Sequence, residues 1–187
     1  MGYALGWVAI QSGNAEAILE RLGFSRTGVR EALPNSAAVG AALPGSYLVV
    51  VQRGDHLVGK ALLKDLSIGT ALTACFVEEH VMYSTSVGWE DGRKIWSVVH
   101  DSEKGGDHLA VDGVAPSALA SIRARLESAQ RADAETDFIF DIPIDLAKAL
   151  TGFRHDEALP ATEQAPFEVL AARRSASRPW WKRVMSQ

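Results

Sequence analysis

A single cysteine, Cys75, excludes an internal disulfide, and its apolar surroundings from Leu72 to Val77 make it a buried core thiol. No apolar run approaches the roughly 20 residues that span a bilayer. The beginning of the chain lacks a basic stretch followed by a cleavable apolar core, and position 6 is Gly where a myristoylation signal needs Ser or Thr. A cytoplasmic location is therefore expected. Internal repeats and low-complexity tracts are missing, which argues against solenoid architectures. The patterns His-Glu-x-x-His, Cys-x-x-Cys, Gly-x-Gly-x-x-Gly, Gly-x-Ser-x-Gly and the complete Walker loop Gly-x-x-x-x-Gly-Lys-Ser/Thr do not occur either, since Gly54 to Lys60 is followed by Ala61. The chemistries that rest on those loops and ligand spacings lose their usual support, and neither a cofactor nor a metal is expected.

What is present is the composition of an ordinary folded protein: 187 residues, 22% charged, formal net charge −4. That length suits one domain with a sizeable core, and the acidic balance disfavours a nucleic-acid partner. The clearest local signal is Asp91-Gly92 between two alternating segments that carry Trp89 and Trp96. A two-residue type I′ turn there pairs Glu90 with Arg93 and sets the register outward. One face then carries Tyr83, Val87, Trp89, Lys94, Trp96, Val98 and His100, with Val87 opposite Trp96 and Tyr83 opposite His100. The other carries Ser84, Ser86, Gly88, Ile95, Ser97, Val99 and Asp101, with Ser86 opposite Ser97. Burying large apolar side chains contributes about 1.5–3 kcal/mol each, so Trp96 is expected inside and Ser86 outside.

Around this hairpin, Tyr3 to Gln11 reads as a strand. A helix follows, capped by Asn14, with Ile18, Leu19 and Leu22 on one face, Gly23 as its left-handed exit and Phe24 packing back. Residues 25–46, with Gly28, Pro34, Gly40, Pro44 and Gly45, read as a surface loop. Tyr47 to Val51 is a buried strand, ended by an Arg53-Gly54-Asp55 tripeptide that is read as chance, since adhesion needs an exported, exposed loop. His56 to Ser67 suits a short helix weakened by Gly59. Residues 72–111 give a four-strand meander, and Pro116 opens a helix that buries Leu119, Ile122, Leu126 and Ala129. Phe138 to Ile142 reads as a last strand, followed from Pro143 by a helix that turns Leu146, Ala149 and Leu150 inward and ends at Gly152. The expected fold is a single α+β domain over residues 1–168, a mainly antiparallel sheet with helices packed on one face, followed by a tail, 169–187.

The tail carries Arg173, Arg174, Arg178, Lys182 and Arg183 and no acid, so a +5 segment follows a body of −9. Trp180 and Trp181 on one side and Lys182 and Arg183 on the other make it the expected partner-binding element. The one clustering of acid and base types lies at the sheet end away from Asp91-Gly92: Glu78, Glu79, His80, His100, Asp101, Asp107 and His108, near Tyr83. His100, Asp101, Glu79, His108 and Tyr83 are thus the catalytic candidates, although solvated sheet-end polarity is the commoner origin of such a cluster. The leading functional reading is a non-enzymatic accessory protein that binds another protein or a second copy of itself. Its alternatives are a small enzyme or ligand binder at that sheet end, and a peripheral membrane protein held by the tail. Membrane attachment would make the full chain, but not a version ending at Ala172, float with acidic liposomes; equal behaviour of the two would end that reading.

Overall fold

The computed structural model describes residues 2–11, 14–160 and 164–173. All the strands belong to one nine-stranded antiparallel sheet: β1 (Ala4–Ile10), β2 (Phe24–Glu31), β3 (Ala38–Leu43), β4 (Ser46–Gln52), β5 (Ala71–Glu78), β6 (Tyr83–Glu90), β7 (Arg93–Asp101), β8 (Ala110–Gly113) and β9 (Phe167–Ala172), in spatial order β2-β9-β3-β4-β1-β5-β6-β7-β8. The helices are α1 (Ala15–Leu22), α2 (Lys60–Leu66), α3 (Ala118–Ala132) and α4 (Asp141–Thr151). The α+β class and the meander from β5 to β8 agree with the sequence. The tail boundary at 168/169 falls inside β9, so Val169 to Ala172 are part of the sheet.

β1 lies at the centre, flanked by β4 and β5, and its alternation feeds two cores. Val8 and Ile10 join Ile18 and Leu19 of α1 and Leu63 and Leu66 of α2 on one side. Leu5, Trp7 and Ala9 join Phe140, Ile144 and Ala147 around α4 on the other. The helices therefore divide between the two faces of the sheet, where packing on one face was expected. α1 forms as its sequence directs: the Asn14 side chain accepts the Ala17 N–H at 3.1 Å, and Gly23 ends the helix at φ 75°. Gly59 separates a 3-10 turn, Asp55–Val58, from α2, where one short helix was expected.

Three further expectations fail for physical reasons. Residues 25–46 are not a loop, since they hold β2 and β3; the Pro44-Gly45 corner, with Gly45 at φ 75°, joins β3 to β4 as a two-residue turn with Leu43 opposite Ser46. Phe138 to Ile142 is not a strand. The Asp137 carboxylate accepts the Phe140 N–H at 3.1 Å and α4 begins at Asp141, which puts Pro143 in the first turn, where its missing N–H leaves no helical bond unmade. That start rotates the helix so that Ile142, Ile144, Leu146 and Ala147 face inward while Ala149 and Leu150 face water.

The hairpin register is the third. Glu90 pairs with Arg93 and Trp89 with Lys94, but Gly88 pairs with Trp96, which makes Ile95 an extra, bulged residue. Beyond it Val87 lies opposite Ser97, Ser86 opposite Val98, and Tyr83 opposite Asp101. One inserted residue moves every later side chain of β7 to the other face. Trp96 is buried as expected, but Ser86 is buried as well, at 0% exposure. The small side chains Ser84, Ser86 and Gly88 share the face of Trp96 and Val98 and let α4 approach; the Ser84 hydroxyl donates to the Phe140 carbonyl at 2.6 Å. Val87 and Trp89 point the opposite way, toward α2.

Close backbone approach makes one glycine in β1 testable. A Cβ at Gly6 would lie 2.2 Å from the Gly54 carbonyl oxygen, whereas one at Gly106 meets open space. Gly6→Ala is expected to cost about 1–3 kcal/mol in urea denaturation through overpacking, and Gly106→Ala no more than about 0.5 kcal/mol. Equal, small effects would contradict the contact.

Candidate binding groove

The sheet-end residues do not converge. His100 is fully buried on the α4 side: its Nδ1–H donates to the His108 carbonyl at 2.9 Å, its Nε2 lies 3.1 Å from Asp137 Oδ2, and its ring meets the Phe140 edge. It ties the loop before β8 and the segment before α4 to β7. Asp101, one residue on, faces the other side, where the Lys104 ammonium 2.8 Å away holds its carboxyl below the usual range. Tyr83 shares that side beside Phe76, and burial pushes its phenol pKa up. Glu79 turns to a third place, accepting the Tyr3 N–H at 2.8 Å and lying 3.2 Å from Nε2 of His155. The His108 ring keeps a buried Nδ1 without a partner. Glu78 engages only its neighbour His80, at 2.7 Å. Among the described residues no set of three His, Cys, Asp or Glu side chains is placed to hold a metal ion.

His155 was not foreseen. It sits between Tyr3 and Trp7, with ring centroids at 5.1 and 5.9 Å, and lines a small cavity of about 280 Å³ with Asn35 and Gln52. The sequence offers no signal for this pairing, because 76 residues separate His155 from Glu79 and only the return of the chain after α4 joins them. Cys75 is buried opposite Trp7, and burial pushes its thiol well up, so it remains protonated and unreactive. Trp180, Trp181, Lys182 and Arg183 lie outside the described residues.

A cavity of about 550 Å³ opens where the sequence led to an expected loop. Its floor is the β3–β4 hairpin, from Gly40 to Leu43 and from Gly45 to Tyr47, and its far wall is built by Arg26 and Arg30 of β2 with Pro166 and Glu168. Arg26, Arg30, Glu168, Gly40 and Tyr47 share the α1 face because Arg30 pairs with Glu168 and Glu168 with Gly40. The Arg26 guanidinium is held by the carboxylates of Glu16 and Glu168, which raise its already high pKa, and stands 5.5 Å over the Tyr47 ring. Arg30 donates from Nε to the Ala165 carbonyl at 2.7 Å and from Nη2 to the Pro166 carbonyl at 3.2 Å.

Gly40 is required there: a Cβ would lie 2.3 Å from the Tyr47 hydroxyl oxygen. That hydroxyl is buried and has no hydrogen-bond partner among the described residues, and desolvation raises its pKa. β9 pairs with β3 only at Val39 and Gly40, so among the described residues no strand pairs with the β3 edge from Ala41 to Leu43 on the groove side. The groove can therefore offer backbone hydrogen bonds, guanidinium donors and a phenol edge to an extended guest.

No family model, curated protein or solved structure matched the chain in comparisons.

The contrast between neighbours at the sheet end is measurable. His100→Ala removes a buried ring and leaves the His108 carbonyl unpaired, and should lower unfolding free energy by about 2 kcal/mol or more. Asp101→Asn breaks only a surface ion pair and should stay within about 0.5 kcal/mol. The reverse order would refute the face assignment.

Proposed function

We propose that this chain is a non-enzymatic binding module that takes up an extended segment of a partner protein in the groove beside β3. The observation that carries the reading is the stretch Ala41 to Leu43 on the floor of a 550 Å³ cavity, paired with β4 on one edge and with no described strand on the other. Backbone N–H and C=O groups alternate sides along a strand, so some of this stretch points its groups into the groove, where an added strand would satisfy them. Arg30 supports a charged end to that guest. Its guanidinium has five N–H donors, and two are taken by the carbonyls of Ala165 and Pro166. Main-chain bonding gives such a site affinity for many sequences, and the Tyr47–Arg26 wall gives it selectivity.

The enzyme reading at the sheet end loses support, because Glu79, His100 and Asp101 serve three different surroundings. A cytoplasmic location is part of the proposal.

A random-peptide phage library panned against the full chain tests the reading. Enriched peptides should shift the amide resonances of Ala41 to Leu43, and Arg30→Ala, with an unchanged circular dichroism spectrum, should weaken them about tenfold, as loss of a charge-assisted hydrogen bond does. Absence of enrichment, or binding that leaves those amides unshifted, would overturn it.

A further inference from the structure

A second cavity, about 530 Å³, opens on the same side of the sheet but at its other half, between α2 and the β6–β7 hairpin. Its apolar lining is Val58, Val87 and Trp89, and its rim is Lys60 and Lys64 of α2 with Arg93 and Lys94 of β7. Four cations around one apolar cavity stand out in a chain of net charge −4. Lys94 meets Asp112 at 2.5 Å, while Lys60, Lys64 and Arg93 make no ion pair or side-chain hydrogen bond among the described residues. The nearest acid along α2, Asp65, is engaged by Arg21 at 3.3 Å, and Asp91 of the turn accepts the Gly69 N–H at 3.3 Å. Lys60 and Lys64 stand four apart on one helix, a like-charge spacing whose repulsion an anion between them relieves.

The walls are fixed to each other. The Gly92 N–H donates to the Ser67 hydroxyl at 3.2 Å and the Asp91 N–H to the Thr70 carbonyl at 3.1 Å, so the hairpin tip is fastened to the end of α2. The volume is that of an ordinary small-molecule site.

We infer that this cavity binds a small amphipathic anion, an acyl or aromatic body carrying a single carboxylate or phosphate: the body covers Val58, Val87 and Trp89, and the acid group meets Lys60, Lys64 and Arg93. Charge complementarity selects this occupant over the chain's own residues 174–187, which carry four cations and no acid. The site shares no lining residue with the groove beside β3 and does not depend on it.

Titration of the full chain with sodium decanoate below its micelle concentration, against decanol and decyltrimethylammonium, tests the inference. Decanoate should saturate one site, weaken with added salt, and bind at least tenfold tighter than either control. Lys64→Glu, an exposed substitution, should abolish that preference, and Lys60→Gln should reduce it, both with unchanged circular dichroism, whereas Arg30→Ala should leave decanoate binding intact. Equal binding of decanoate and decanol, or indifference to Lys64→Glu, would overturn the inference. So would binding to acidic phosphatidylserine vesicles without binding of monomeric decanoate, which would make the rim a membrane contact. A ligand-free dimer in sedimentation that Lys64→Glu dissolves would assign the cavity to a second copy.

Discussion

One extra residue in β7 governs how this sheet is used. Were Ile95 an ordinary strand residue and not a bulge, Lys94 and Trp96 would stand on one face, and covering Trp96 would bury the lysine with it. The bulge separates them: Lys94 stays beside Trp89 on the α2 side, and Trp96 crosses to the α4 side with Val98 and His100. The indole can cross because Gly88 opposite it has no side chain; a Cβ there would lie 2.1 Å from Trp96 Nε1. Both faces of the hairpin are then apolar enough to be covered, and the serines between them become the seat of a helix instead of a wet surface.

The two faces are covered differently. On the α4 side, Arg154 binds Asp141, Asp145 and Asp156, and Arg125 reaches Asp145 from α3, so the helices are clamped to each other over a closed core. On the other side, α1 and α2 are short, eight and seven residues, and leave uncovered sheet at both ends. The groove beside β3 and the cationic cavity beside the hairpin are those two uncovered ends. The openings follow from helix length, and their chemistry follows from which strands the helices fail to reach.

Much of this was legible locally. Asn14 and Gly23 bracket α1, the alternation from β5 to β8 gives the meander, and Leu119, Ile122 and Leu126 orient α3. The groove was not legible, since Ala38 to Leu43 has one β-branched residue, contains Gly40 and is followed by Pro44-Gly45, which reads as irregular. The Pro44-Gly45 corner was the available signal, a type II turn that asks for strands on both sides. The sheet-end cluster misled for a related reason. Polar residues gathered in sequence near one end of a hairpin alternate across its faces, so His100 and Asp101 part company as soon as the strand forms.

By itself the sequence determined the α+β class, the first strand, the capped first helix and the Asp91-Gly92 turn, because each rests on interactions within a few residues or on a simple period. The tertiary structure alone decided that Ile95 is bulged, that β9 enters between β2 and β3, and that Arg26 meets Glu168 142 residues away. It also placed His155 on Glu79. These are long-range pairings, and no local pattern encodes them; they are selected when both faces of one sheet must be covered at once, by helices too short to cover all of it.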